Sequence, residues 1–158
     1  MKKLAFALMM ITLLLAGCGG GSKGPLFTEK MAKSFEIVKY EEKIAPVYAN
    51  LVPHIAYAKT EGQLEVLKAR FQVEDVDIDM DTHMAVFVVT KSDSCGVAVN
   101  GVYDRDGMLS VQLLTPEHGN CDVDPVPHTF VLQVEKADYD RVQLYDDVIL
   151  KSSMEIKE

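Results

Sequence analysis

The stretch Met84-Ala85-Val86-Phe87-Val88-Val89-Thr90 is almost continuously apolar and rich in β-branched side chains. A run of this kind, without the polar alternation of a half-exposed strand, is typical of a strand that is buried on both faces. It therefore predicts a central strand of a β-sheet.

Shorter segments on both sides of this stretch have strand patterns of their own. Residues 76–81 alternate strictly between apolar and acidic side chains. Residues 96–103 and 108–114 are joined by Asp104-Arg105-Asp106-Gly107, a hairpin turn in which glycine supplies the positive φ. Residues 35–40, 129–134 and 142–145 are also predicted strands, and residues 54–58 and 148–150 are additional candidates.

One helix is predicted over residues 61–71. Thr60 and Gln63 have the spacing of a capping box, and Leu64, Leu67, Ala69 and Phe71 follow at helical intervals. One helix and six or seven strands predict an α+β domain. We expect a mostly antiparallel β meander or sandwich-like sheet with the 61–71 helix packed on it.

The N-terminus has the layout of a secretory signal peptide. Lys2 and Lys3 precede an apolar run over residues 4–15, which is too short for the roughly 18 to 20 residues of a permanent membrane span. The run ends in Leu15-Ala16-Gly17-Cys18, which resembles the lipobox of bacterial lipoproteins. An ordinary secretory signal with an incidental cysteine is the alternative.

The lipobox resemblance implies that Cys18 becomes the mature N-terminus and carries acyl chains, palmitate among them, that hold the protein on a bilayer. The expected organisation is a signal peptide over 1–17, a lipidated cysteine and flexible glycine-rich tether over 18–27, and one globular domain over 28–158. The expected location is the extracytoplasmic face of the cell membrane or the outer membrane.

The chain is acidic, with a net charge of −8 over its 158 residues. Loss of the signal peptide would leave 14 basic and 24 acidic residues, a net charge of −10. Phosphate binding needs a basic face, so nucleic acid is excluded as a partner. The domain would also be repelled by an anionic membrane, which leaves any anchoring to the lipid.

Besides Cys18, the chain has two cysteines, Cys95 and Cys121. In an oxidising compartment an even pair predicts a disulfide. His118, Cys121, His128 and Cys95 would also make a zinc set, but the Cys-x₂-Cys spacing of structural zinc sites is missing.

The acidic positions 74–81 do not match a calcium loop, because glycine and glutamate are missing at the required spacing. Carboxylates on one strand face still leave open a divalent-metal-binding envelope lipoprotein that uses Asp77, Asp79 and Asp81. Gly-x-Ser-x-Gly and a glycine-rich phosphate loop are both absent. We therefore assign no catalytic residue and no cofactor.

From Met84 onward the order of features resembles the C-terminal domain of bacterial PrcB-type protease-complex proteins. The shared pattern is an apolar strand, a glycine-containing turn, a strand-hairpin-strand unit, and the segment Pro127-His128-Thr129-Phe130-Val131-Leu132-Gln133-Val134. Where the family has a Thr-Gly-Gly-Tyr type of turn, this chain has Ser92-Asp93-Ser94-Cys95-Gly96. The resemblance implies a non-catalytic domain that binds and stabilises a partner protein, in some members a secreted protease.

We therefore expect a lipid-anchored binding module for another envelope or secreted protein. The loop over residues 115–127, held by the disulfide and stiffened by prolines, is the predicted binding loop because it loses little entropy on binding. Its candidate contact residues are Pro116, Glu117, His118, Asn120 and Asp122.

Overall fold

A computed structural model describes residues 25–116, 121, 122 and 124–157. These residues form one α-helix, α1 (Glu61–Phe71), and nine strands. The strands are β1 (Ala32–Lys33), β2 (Phe35–Glu41), β3 (His54–Ala58), β4 (His83–Ser92), β5 (Ala98–Arg105), β6 (Met108–Leu114), β7 (Val126–Glu135), β8 (Arg141–Asp146) and β9 (Ile149–Glu155).

The strands form two stacked sheets, a five-stranded sheet in the order β1-β5-β6-β8-β9 and a four-stranded sheet in the order β2-β7-β4-β3. The pairing is antiparallel except between β6 and β8, which are parallel because β7 crosses to the other sheet between them. The predicted α+β class with sandwich-like, mostly antiparallel sheets is confirmed. A simple meander does not describe the chain, since consecutive strands repeatedly change sheet.

The apolar stretch around β4 is buried on both faces, as its composition predicts. Met84, Val86 and Val88 point into the core between the two sheets. Ala85, Phe87 and Val89 point the other way, into a second core beneath α1. The strand has β7 on one side and β3 on the other, so it is a central strand.

Helix α1 begins and ends where the sequence predicts. The Thr60 hydroxyl accepts a hydrogen bond from the Gln63 N–H at 3.3 Å, and Gln63 Oε1 accepts one from the Lys59 N–H at 2.7 Å. These bonds satisfy N–H groups that a helix start leaves free. Leu64, Leu67 and Phe71 are buried against the four-stranded sheet.

The predicted strand over residues 76–81 is wrong. This segment has no strand partner, and its turn bonds run from the N–H groups of Thr82 and His83 to the Asp79 carbonyl. Val76, Ile78 and Met80 are nevertheless buried in the core beneath α1, with exposed residues between them. Alternation therefore reflects burial of one side of an extended chain, which occurs here without a sheet.

Two turn features follow from residue type. Asp106 and Gly107 have φ values of 52° and 80°, which matches the predicted β5–β6 hairpin turn. Strand β7 begins at Val126, three residues before the predicted start at Thr129. Pro127 fits this extension because β2 pairs with β7 only from Thr129 onward, so a missing N–H at Pro127 breaks no bond on that side.

The N-terminal part of the described chain closes one side of the sandwich. Phe27 stacks on Tyr103 with ring centroids 4.6 Å apart, and Tyr145 lies edge-on at 5.1 Å. Strand β1 then pairs with β5, and after Ser34 the chain passes to the other sheet as β2. Packing therefore begins at Phe27, whereas the predicted signal peptide, Cys18 and most of the predicted tether lie outside the described residues.

Among the residues that the structure describes, no helix has the length and apolar character needed to cross a membrane.

Candidate interaction surface at the loop end

One end of the sandwich gathers four connections: β2–β3 and β8–β9 each stay within one sheet, whereas β4–β5 and β6–β7 pass between the sheets. It comprises residues 42–53, 93–97, 115–116, 121–122, 124–125 and 146–151, and we call it the loop end. The start of β3, the ends of β4 and β6, and the β8–β9 turn all lie there, as the strand registers require. Loops on a rigid scaffold are where binding residues are most often found.

A disulfide joins two connections at the loop end. Cys95 follows β4, Cys121 lies between β6 and β7, and their Cα atoms are 5.3 Å apart. The predicted pairing is confirmed. The same two connections share hydrogen bonds, from the Ser94 N–H to the Asp122 carbonyl at 3.1 Å and from the Asp122 N–H to Ser94 Oγ at 2.7 Å.

A buried histidine braces three strands next to this clamp. His128 on β7 is 2% exposed, with Nδ1 at 3.0 Å from the Tyr40 hydroxyl and Nε2 at 2.7 Å from Ser92 Oγ. Burial lowers the pKa of His128, against a smaller opposing effect of the Glu42 carboxylate. The histidine is therefore neutral at physiological pH.

The hydrogen-bond directions suit a structural brace better than a nucleophile and its base. The Ser92 hydroxyl donates to the Asp93 carbonyl at 2.8 Å, which leaves the Ser92 oxygen to accept from Nε2–H. A neutral ring with its proton on Nε2 leaves Nδ1 to accept from the Tyr40 hydroxyl, which also lies 3.3 Å from Glu42 Oε1. In that tautomer the histidine does not receive the serine proton, which a catalytic pair requires.

A cleft of about 220 Å³ opens at the loop end between the two sheets. It exists because β3 begins at His54, opposite Val89, so that Thr90 and Lys91 continue β4 without a neighbour on that side. The cleft is lined by Ala49, Asn50, Val52, Pro53, Thr90, Lys91, Leu113, Leu144, Asp146 and Lys151. A larger outer groove of about 710 Å³, lined by residues 98–100, 114–116, 146 and 147, lies on the far side of the β8–β9 turn.

Three consecutive apolar side chains lie in the chain between Asp147, which lines the outer groove, and Lys151, which lines the cleft. Val148, Ile149 and Leu150, the hairpin tip, are 57%, 59% and 48% exposed. Leu51, beside the cleft, is 55% exposed. Isolated exposed apolar residues are ordinary, but a contiguous group next to cavities is typical of an interaction site.

The loop end is acidic. Its cations are Lys43, which pairs with Glu41 at 3.0 Å, and Lys151, which pairs with Asp146 at 3.3 Å, and Lys91 adjoins it near the end of β4. Its acidic side chains are Glu42, Asp93, Asp122, Asp124, Asp146 and Asp147. A complementary partner would present apolar and basic side chains.

The predicted binding loop falls only partly within the described residues. Pro116 lines the outer groove, and exposed Asp122 belongs to the clamp with Ser94. Glu117, His118 and Asn120 lie outside the described residues.

The predicted metal residues are not brought together. Asp79 accepts hydrogen bonds from the Asp81 N–H at 3.0 Å and the Thr82 hydroxyl at 2.8 Å, and the Thr82 bond lowers the pKa of the Asp79 carboxyl. Within the described chain, the group of three candidate ligands that converge is Asp93, Cys95 and Cys121, and its two thiols form the disulfide.

Sequence reasoning missed the cleft, the hairpin tip as a contact surface, and the His128 brace. Residues 148–150 carried a usable signal, because an apolar run at a predicted edge strand has no sheet neighbour to bury it. The cleft and the brace combine residues from distant strands, so their composition follows only from the topology.

The fold and this surface define a class of protein, an α+β sandwich with a disulfide-clamped, apolar and acidic loop end. Compared with family models, curated proteins and solved structures, the chain gives no significant match. The lipoprotein and PrcB-type resemblances therefore stay predictions.

Proposed function

We propose that the protein is a lipid-anchored extracytoplasmic lipoprotein whose domain binds and stabilises a partner protein without catalysis. An envelope or secreted protease is the partner class that the PrcB-type resemblance suggests. The hairpin tip carries the proposal: Val148, Ile149 and Leu150 are about half exposed, and the residues on either side of them in the chain line two cavities. Burying this surface against a partner would stabilise the complex by removing apolar area from water.

Two further observations support the proposal. The clamp and the brace hold the loop end in one conformation, which lowers the entropy lost on binding. The disulfide is of the kind that persists outside the cytoplasm, where a lipoprotein domain resides. No contact among the described residues favours the metal-binding alternative, so it is not proposed.

Site-specific crosslinking in cells tests the binding surface. A photoreactive residue replaces Ile149 in the hairpin tip or, as the control, exposed Glu36 on β2. We expect one discrete adduct from position 149 and none from position 36. The absence of an adduct at 149, or the same adducts from both positions, would contradict the proposed surface.

The anchor is tested separately by the mass of the mature N-terminus. We expect Cys18 to be the first residue and to carry acyl chains. An unmodified or uncleaved N-terminus would refute the lipoprotein part of the proposal and leave the binding surface to the crosslinking result.

A further inference from the structure

A groove runs beside α1 and shares no residue with the loop end. It has a volume of about 460 Å³ and is lined by residues of the helix, β3 and β9. Its apolar part comes from Tyr57, Leu67 and Met154. None of the described residues that line it is charged, although a quarter of the chain's residues are. Lack of charge together with tyrosine and methionine is typical of the centre of a protein–protein interface.

Val66 lines this groove and lies at the middle of α1. It is the sixth of eleven helical residues, and at 62% it is the most exposed large apolar side chain of the described chain. One turn earlier, Gly62 leaves the groove open, since nothing lies within 4 Å of the place that a Cβ would take. The helix face therefore combines a protruding aliphatic side chain with an open recess. A two-fold interface needs both on one surface, because each copy presents the same patch to the other.

The charges of α1 change sign along the helix. Glu61 and Glu65 lie in its first half, and Lys68 and Arg70 lie in its second half. Two antiparallel copies therefore bring the acidic half of each helix against the basic half of the other. Residues 59–72 carry a net charge of +1, from three basic and two acidic side chains, whereas the chain carries −8. Two copies of this acidic chain therefore repel each other less at this face than at the acidic loop end.

We infer that two copies of this chain associate through α1 and its groove, with the helices antiparallel and a two-fold axis beside Val66. In this arrangement Val66 of each copy packs at the groove of the other, and Glu65 of each copy lies beside Lys68 of the other. Glu65 and Lys68 form an ion pair within one helix at 2.6 Å, so the interface joins two such pairs into one network. The inference goes beyond the proposed function, because it concerns a different face and a different partner.

Self-complementarity favours a second copy over an unrelated protein. The apolar side chain matches the groove, and the charge order of α1 is matched by its own reversal, so one symmetric contact uses both features. The surface is small, because a helix of 11 residues is about 16 Å long. Stable interfaces bury about 1,200 to 2,000 Å² in total, so we expect a weak, reversible dimer. A covalent trap is therefore the appropriate measurement.

Cysteine crosslinking of the full chain in cells tests the dimer. Val66→Cys places a thiol beside the two-fold axis in both copies, within reach of the roughly 3.5 to 4.5 Å Cβ separation of a disulfide. The matched control is Val47→Cys, at a valine that is 55% exposed on the loop end. We expect a product of twice the chain mass on non-reducing gels from position 66, and no more than the wild-type background from position 47. Equal yields from both positions, or none from position 66, would overturn the inference.

Charge reversal tests the antiparallel pairing. In chains that carry Val66→Cys, Glu65→Lys or Lys68→Glu alone should lower the crosslinked fraction severalfold, because like charges then face each other. Differently tagged copies of these two variants should crosslink to each other as well as the parent does, because every contact again joins opposite charges. Lys30→Glu, at an exposed lysine outside α1, is the matched control for Lys68→Glu. A mixture that stays uncrosslinked, or an equal loss in Lys30→Glu, would refute the pairing.

The mixture also separates the dimer contact from the stability of the helix. Both charge variants lack the ion pair of Glu65 and Lys68 within the helix, so its loss cannot explain crosslinking that the mixture restores. A product from position 66 with any other mass would assign this face to another protein and refute the dimer. If no dimer is trapped while position 149 still crosslinks a partner, the dimer is refuted and the proposed function stands. A trapped dimer without any adduct at position 149 would refute the proposed function instead.

Discussion

Removal of the disulfide measures how much the clamp contributes to stability. The bond spans a sequence separation of 26 residues that contains the whole β5–β6 hairpin. For a loop of this length the chain-entropy relation gives about 3.5 kcal/mol at 25 °C. We expect Cys95→Ser/Cys121→Ser to lower the free energy of unfolding by about 3 to 4 kcal/mol. The melting temperature should fall by roughly 10 °C.

Urea denaturation followed by circular dichroism gives the free energy of unfolding and its slope with denaturant. The slope should rise in the double variant, because an uncrosslinked unfolded chain exposes more surface. Ser94→Ala is the control: it keeps the disulfide but removes the acceptor of the Asp122 N–H bond, at a cost of about 0.5 to 1.5 kcal/mol. A double variant that loses less than about 1 kcal/mol, or no more than Ser94→Ala, would refute the crosslink as the main clamp.

Three other changes have outcomes that the structure dictates. Phe27→Ala should lower stability by about 1 to 2 kcal/mol in thermal melts, because the ring stacks on Tyr103. Phe27→Leu should lose less stability than Phe27→Ala, because leucine keeps apolar contact but not the ring stacking. Gly101→Ala should destabilise the protein by about 1 to 3 kcal/mol, because the new Cβ would lie 2.5 Å from the Tyr103 hydroxyl oxygen. Gly62→Ala in α1 should stabilise it by about 0.5 to 1 kcal/mol, because the new Cβ meets nothing within 4 Å. Because the pKa of His128 is lowered in the folded protein, the unfolded chain binds the proton at a higher pH than the folded protein does. The contribution of His128 to the free energy of unfolding should therefore be complete above the unfolded pKa of about 6.5. It should fall as the pH drops from there towards the folded pKa. Urea midpoints between pH 7.5 and 5.0 check this, and a His128→Gln variant with the same pH dependence would contradict it.

The parts of the fold that sequence predicted well are those specified locally. The Thr60–Gln63 cap and the apolar spacing of α1 act within a few residues, so the helix bounds were correct. The prediction of β4 from its apolar run was correct for the same reason, since burial on both faces favours apolar residues along the buried part of the strand.

The parts that failed depend on partners that are distant in sequence. The alternation of residues 76–81 reports a buried side, but whether that side faces a sheet or lies beneath a helix depends on the tertiary fold. The parallel pairing of β6 with β8 likewise follows from β7 crossing between the sheets, which no local pattern encodes.

The candidate site divides in the same way. Cys95 and Cys121 were predictable as a pair because the sequence offers just two cysteines besides Cys18. Lys91 and Lys151 are 60 positions apart in the numbering, and they line one cleft only because one continues β4 past β3 and the other occupies a bulge. Neither position carries a pattern that distinguishes it from an ordinary surface lysine.

The way β1 passes into β2 determines how the domain would respond to a mechanical load applied at its N-terminal end. A pull there would first act on the Phe27 ring and on the two register pairs that join Ala32 and Lys33 to β5. These contacts would break one after another before tension reached β2 and the interior strands β7 and β4. A protein tethered at this end would therefore yield at its edge under force while its two cores stayed closed.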